Sequence, residues 1–325
     1  MMTAVENRRR RLLGVVRGSL PFFVSAALLG YLFSRIDVAQ ALGYVTETVA
    51  LRFVGPLVLF NLLTLALEAH CIHRVATSGG AHVSHLTGAR IKAACYLLSI
   101  LNYAIGAAGL SVLMRRRARV GMAEAASMVF LISLFDVGSV AALAAVAATF
   151  QQSGALGVRV GLLGLLLLAI VGGFVFLKAP ISLGPLDRLR KLSVFSAPRE
   201  ASLPLLIELA LLRALFIGSY VALAAALFWA YDIEVGAVQL AMSLAIMLVI
   251  SALPIAAGGL GTGQIVFVEL FSGLAPDAQL LSASIVFSVG LLATRAMLGF
   301  LFAHEFTREA LSAARAEADD AGSGA

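Results

Sequence analysis

The sequence predicts an all-α, polytopic helical membrane protein with six full spans and two re-entrant broken-helix hairpins, arranged as an inverted repeat. Three observations predict it. The chain of 325 residues is 61% apolar and only 13% charged, against about a quarter charged in a soluble domain. Six apolar runs reach the roughly 20 residues that a helix needs to cross the hydrocarbon core. The basic residues gather on one side of those runs, as cytoplasmic loops do.

With that composition and a mean hydropathy of +0.98, a soluble fold of this size could not hide its apolar surface. The net charge of +6 is therefore read by location. It forms no single solvated face, which excludes a nucleic-acid partner. Cys71 and Cys95 lie in apolar stretches without CxxC or Cys/His spacing and read as packed thiols.

Residues 1–17 form a basic N-terminus, and no A-x-A-like site closes the apolar run that follows, so that run reads as the first span and not as a signal peptide. The uninterrupted spans are 18–35, 53–73, 124–149, 157–178, 203–230 and 280–303. Two further stretches are broken. Residues 91–114 are interrupted by Gly106 and Gly109 after Asn102. Residues 238–274 are interrupted by Pro254, Gly258, Gly259, Gly261 and Gly263. A proline followed by clustered glycines does not sustain a regular helix. The alternative for the first break is that its glycines let helices pack closely. A polar tail, 309–325, reads as disordered.

If 91–114 crossed once, both faces would be basic. If it enters and leaves by one face, Arg115, Arg116, Arg117 and Arg119 join the N-terminus and the loops 74–92 and 178–199. Nineteen of the 24 basic residues then share the cytoplasmic side with both termini. The other face collects Asp37, Glu47, Asp232, Glu234 and Asp277, with Trp229, Tyr231, Tyr31 and Tyr44 as an aromatic belt. By the same reasoning 238–274 returns to the face it entered. The single domain 18–308 then divides into halves of about 18–149 and 157–304 with inverted topology, a transporter architecture.

Half-helix ends carry free backbone groups, and at membrane depth these must be buried in protein or line a wet cavity. A half-helix starting near Gly263 would offer N–H donors to an anion such as phosphate. The Gly-rich run is no nucleotide loop, having no GK[ST] and no flanking strand. Asp136, Arg213, Glu269 and Arg295 lie inside apolar segments, where each is expensive unless paired or hydrated. On a functional reading Arg213 and Arg295 meet a lipid phosphate, with Asp136 and Glu269 balancing them. On a structural reading, Asp136–Arg295 or Glu208–Arg213 pairs hold helices together. Glu68 and His70 near the end of a span read as snorkelling, and His73, His82 and His85 as a solvated loop. Arg115 marks the cytoplasmic boundary and would close the site beneath the first break. No catalytic constellation, cofactor motif or metal-ligand spacing appears, so an enzyme is not expected.

At the two breaks the sequence resembles the lysylphosphatidylglycerol synthase transmembrane region, the flippase-like domain family. Ser251-Ala-Leu-Pro254-Ile-Ala-Ala-Gly258-Gly259-Leu-Gly261-Thr-Gly263-Gln264 is similar to that family's S-x-x-P-x-x-x-G-G-x-G-x-x-E, and Arg295 to its last-helix arginine. Asn102 through Gly106 and Gly109 to Arg115 resembles its first motif, with Asp136 in the next helix. Ile105, Leu110 and Gln264 stand where the family has proline, an acid and glutamate, which leaves an acid-dependent step there without its acid.

The resemblance implies the membrane part without the synthase, and movement of an anionic or lipid-linked amphiphile between leaflets of a bacterial-type inner membrane. Pro254, Gly258, Gly259, Gly261 and Gln264 would cradle the headgroup, facing Asn102, Gly106 and Gly109. Two other readings stand beside it: an ion-coupled transporter of a small solute, and a non-transporting subunit of a separately encoded lipid-modifying enzyme.

Overall fold

A computed structural model describes residues 30–31, 34–101, 103–150, 191–252 and 261–323, with short pieces between 161 and 178. Every regular element among them is helical: ten α-helices and one 3₁₀ turn. They are α1 (Val38–Gly43), α2 (Glu47–Ser78), α3 (His85–Leu101), α4 (Tyr103–Ala118), α5 (Met122–Phe150), α6 (Ser196–Glu200), α7 (Leu203–Ala230), α8 (Ala237–Ala252), α9 (Thr262–Leu270) and α10 (Asp277–Ser323). Four of these, α2, α5, α7 and α10, contain stretches long and apolar enough to cross a membrane. The expected spans 18–35 and 157–178 fall largely outside the described residues, as do residues 1–17.

The two broken stretches are resolved differently from each other. In the first, Asn102 lies outside the described residues, and Gly106 and Gly109 lie within regular helix in α4. They are packing positions and not breakers. A Cβ added at Gly106 would run into the Ser99 hydroxyl and stand 3.1 Å from Ser99 Cα, and one at Gly109 would meet the Leu98 methyl. The arms of this hairpin therefore touch backbone against side chain, which only a residue without a side chain permits. At 17 and 16 residues, α3 and α4 are about 26 and 24 Å long, short of the roughly 30 Å hydrocarbon core. In the second stretch, Pro254, Gly258 and Gly259 lie outside the described residues. α8 ends at Ala252 and packs against α9, which begins at Thr262 after Gly261 at φ 89°, a left-handed conformation that favours glycine.

The chain forms two compact units. The first comprises the described residues within Met1–Leu57, Val137–Ile170 and Ile217–Gly290. Phe228, Phe267 and Phe271 pack with ring centroids 4.6–5.6 Å apart at its core. Arg52 pairs with Asp232 at 2.7 Å and lies over the exposed Trp229 ring. Tyr231 departs from the expected aromatic belt. It is buried, and its hydroxyl is 2.8 Å from Ser282 Oγ, because a phenol that finds both apolar packing and a hydroxyl partner belongs in a core.

The second unit comprises the described residues within Val58–Asp136, Val171–Phe216 and Leu291–Ala325. Its core joins α2, α3, α4, α5 and α7 through Ile72, Val75, Ile91, Cys95, Met114, Met128, Leu131 and Leu209. Both cysteines are free and buried there. Gly88 lets α3 lie against α2, where an added Cβ would be 2.9 Å from the Ala69 carbonyl. The backbone of α10 continues as helix to Ser323, through a segment whose polar composition reads as disordered. That segment is rich in Ala, the strongest helix former.

If Gly106 exists for close approach, Gly106→Ala should destabilise the purified protein by about 1–3 kcal/mol, the usual cost of overpacking. Gly55→Ala, at a site with nothing within 4 Å of an added Cβ, should be nearly neutral. Thermal unfolding in detergent compares them, and equal midpoints would rule out the packing role.

Candidate functional site

Within α2, Asn61, Thr64 and Glu68 recur at helical spacing and are all buried, giving an otherwise apolar helix one polar stripe. Because α2 runs on to Ser78, Glu68 lies ten residues from the helix end, about 15 Å at 1.5 Å per residue. Its carboxylate is turned into the protein, onto Arg213 and Lys92, and the expectation that it snorkels to the interface is corrected. Its side chain is 5% exposed. An isolated carboxylate there would be prohibitive, and two helices supply its partners.

Arg213, midway along α7, donates from Nη1 to Glu68 Oε1 at 2.6 Å and from Nη2 to Glu68 Oε2 at 3.2 Å. The same Nη1 is 3.0 Å from Asp136 Oδ1 on α5. Lys92 on α3 reaches Glu68 Oε2 at 3.0 Å. The guanidinium also lies over the Phe216 ring at 5.6 Å. Fork-on-carboxylate geometry is the strongest form of ion pair and fixes both side chains. One donor is left over: among the described residues the buried Arg213 Nε has no hydrogen-bond partner. Arg295 on α10 lies over Tyr96 of α3 at 5.6 Å, a cation–π contact. With Arg295 counted, these groups are three cations against two carboxylates.

A second polar cluster caps the same unit. Glu208 on α7 accepts from Arg74 Nε to both oxygens at 2.8 Å, and lies 3.0 Å from His70 Nε2. Residues five apart on a helix, such as Glu208 and Arg213, face different directions, so the pairing considered from sequence does not form. His70 Nδ1 is 2.9 Å from His85 Nε2, and His73 Nδ1 is 2.6 Å from the Val83 carbonyl. The expectation of freely solvated His73 and His85 is corrected: their ring centroids lie 4.0 Å apart, the planes tilted by 33°, because α3 begins against the end of α2. Burial first, then the neighbouring His73 and His70, push the His85 imidazole below its ordinary value. Among the described residues no group of three or more His, Cys, Asp or Glu has the geometry to hold a metal.

The other sequence candidates are dispersed. Gly261 and Gln264 open α9, where Gln264 Oε1 accepts the Gly261 N–H at 2.6 Å and Nε2 donates to Ser288 Oγ at 3.2 Å. The amide thus takes up the Gly261 N–H, one of the backbone donors at the start of this helix. Glu269 is exposed at the far end of α9, and the carboxylate that balances Arg213 beside Asp136 is Glu68. Arg115 is exposed in the last turn of α4. Asn102, Pro254, Gly258 and Gly259 lie outside the described residues. Glu68 and Lys92 were missed; the i, i+3, i+7 stripe in α2 was the signal for Glu68.

The model of the lysylphosphatidylglycerol synthase TM region matches residues 18–299. The chain belongs to that family. No curated protein and no solved structure matches it. As a member of the lysylphosphatidylglycerol synthase TM family it is a multi-pass membrane protein, and the family is linked to phospholipid modification and translocation. The matched region contains both polar clusters.

Removing one member of a buried pair costs about 3–5 kcal/mol, since the other charge is left unpaired. Glu68→Gln keeps the side chain's shape but takes the carboxylate from both Arg213 and Lys92, and should lose stability in that range. Asp136, whose side chain is 28% exposed, should tolerate Asn at lower cost because water can replace it. Thermal unfolding of the two variants tests the ranking, and a larger loss for Asp136→Asn would refute it.

Proposed function

We propose that this membrane region is a translocator, not an enzyme, and moves an anionic or lipid-linked amphiphile between leaflets. The observation that carries the reading is Arg213, a fully buried arginine in a span, held by Glu68 and Asp136 with one donor unused. A pair kept for stability alone would be no better than apolar residues of the same volume. An open donor in a cluster with one surplus cation suits a phosphate oxygen, which would displace the partly exposed Asp136 from Arg213 while Glu68 holds the guanidinium in place. The lipid tails would remain in the bilayer.

The architecture that goes with this function is the inverted repeat with two re-entrant hairpins, residing in a bacterial-type inner membrane with both termini cytoplasmic. The short α3/α4 pair and the nine-residue α9 support it, since neither α4 nor α9 is long enough to cross alone. Arg295 would supply a second contact for the headgroup.

Reconstituted vesicles with headgroup-labelled phosphatidylglycerol or phosphatidylcholine provide the test. Wild-type protein should speed exchange of the anionic lipid between leaflets, with Arg295→Gln slowing it about tenfold or more, the loss of one charge-assisted contact of about 1.5–3 kcal/mol. Exchange no faster than in protein-free vesicles would end the translocator reading. A soluble ligand that binds in detergent would then favour the small-solute transporter.

A further inference from the structure

The cluster of His85, His70, Glu208 and Arg74 has no part in the headgroup site just described, yet its hydrogen bonds run in one direction only. A carboxylate that accepts two bonds from Arg74 is ionised and cannot donate, so His70 Nε2 carries a proton toward Glu208 at 3.0 Å. The neutral ring of His70 then has a bare Nδ1, and the hydrogen 2.9 Å away must sit on His85 Nε2. This leaves His85 Nδ1 with its lone pair open, on a residue exposed to solvent. His73 stands apart from the chain of bonds, its Nδ1–H committed to the Val83 carbonyl. The line from water to the carboxylate is therefore His85, His70, Glu208, with His73 and Arg74 of α2 as the flanking titratable and charged groups.

We propose that these residues form a proton-uptake site that relays one proton from water through His85 to His70, where it is held against Glu208. In the first step a hydronium gives its proton to His85 Nδ1 and departs as water. In the second the His85 Nε2–H bond breaks as an N–H bond forms at His70 Nδ1, and His85 is again neutral, in its other tautomer. His70 is now an imidazolium that still donates from Nε2 to Glu208. One proton has entered, no electrons have moved, and the cluster has passed from neutral to one positive charge. His85 regains its first tautomer by exchanging its Nδ1 proton for one at Nε2 through water. The lowered value at His85 favours handing the proton on over keeping it.

Glu208 also lines a cleft of about 560 Å³ on the flank of α7 that is otherwise apolar, formed by Pro204, Ile207, Leu211, Leu212 and Leu215. An acyl chain lying there brings its headgroup to Arg74 and His70. Before uptake the ion pair of Arg74 with Glu208 is balanced; after uptake two cations share one carboxylate, and a headgroup with a single negative charge restores neutrality. Proton uptake and anionic-lipid binding thus favour each other. This coupling rests on the translocator reading; the relay does not.

Ring-¹⁵N-histidine spectra of the full chain in nanodiscs test the relay directly. Near pH 8 His70 and His85 should carry their protons on Nε2 and His73 on Nδ1. On acidification the ring-nitrogen signals of His70 and His85 should change together, as those of a coupled pair. His70→Gln reproduces both hydrogen bonds, accepting from His85 and donating to Glu208, but takes up no proton. In vesicles, wild-type exchange of labelled phosphatidylglycerol should rise on acidification by up to about tenfold per pH unit, the limit for one linked proton. His70→Gln should be flat with pH at an unchanged unfolding midpoint. A proton on His70 Nδ1 at high pH, independent titration of the two rings, or an undiminished pH response in His70→Gln would overturn the proposal. Absence of exchange at any pH strikes the translocator reading instead, and the spectra alone then decide the relay.

Discussion

A charged side chain inside an apolar medium must find its partner or not be there, and Arg213 and Glu68 bind four helices under that constraint. Glu68 belongs to α2, Lys92 to α3, Asp136 to α5 and Arg213 to α7, and their contacts of 2.6–3.0 Å leave each helix little freedom to rotate or slide. Apolar packing alone tolerates such slippage, because one leucine contacts another about as well a turn away. The ion pairs do not. Registry in this unit is thus set by a few polar atoms, while its bulk cohesion comes from the buried aliphatic and methionine side chains around them.

The same pairing fixes the hairpin of α3 and α4. Lys92 ties α3 to Glu68, and Gly88 lets it lie against the α2 backbone at Ala69. α4 then follows through the Gly106 and Gly109 contacts with Ser99 and Leu98. Glycine here serves close approach within a regular helix, whereas Gly261 serves a turn that residues with a side chain rarely adopt. The two breaks therefore look alike in composition and differ in physics. At the second, Gln264 accepts the Gly261 N–H with its own amide at the start of α9.

Both polar clusters lie on the same helices, with Glu68 and His70 only two residues apart on α2. Two residues turn a helix by about 200°, so one faces the buried arginine and the other the capping histidines. One helix thus carries both the carboxylate that holds Arg213 and the ring that lies against Glu208.

What the sequence by itself determined is the part governed by local pattern: an all-helical membrane chain, four of its spans where the structure has them, packed cysteines, and Arg213, Asp136 and Arg295 as charges that need a reason. Length, hydropathy and glycine content are properties of contiguous residues, and they are readable without neighbours. What only the tertiary structure decided is which charges meet. Glu68 and Arg213 are 145 residues apart, and His70 and Glu208 138, so no window along the chain contains both. The depth of Glu68 depended on where α2 ends, the role of Gly106 on what lies across from it, and the fate of Gln264 on a hydroxyl 24 residues away. An ionic partner is chosen by distance in space, and in a membrane, where one unpaired charge is costly, that choice decides the site.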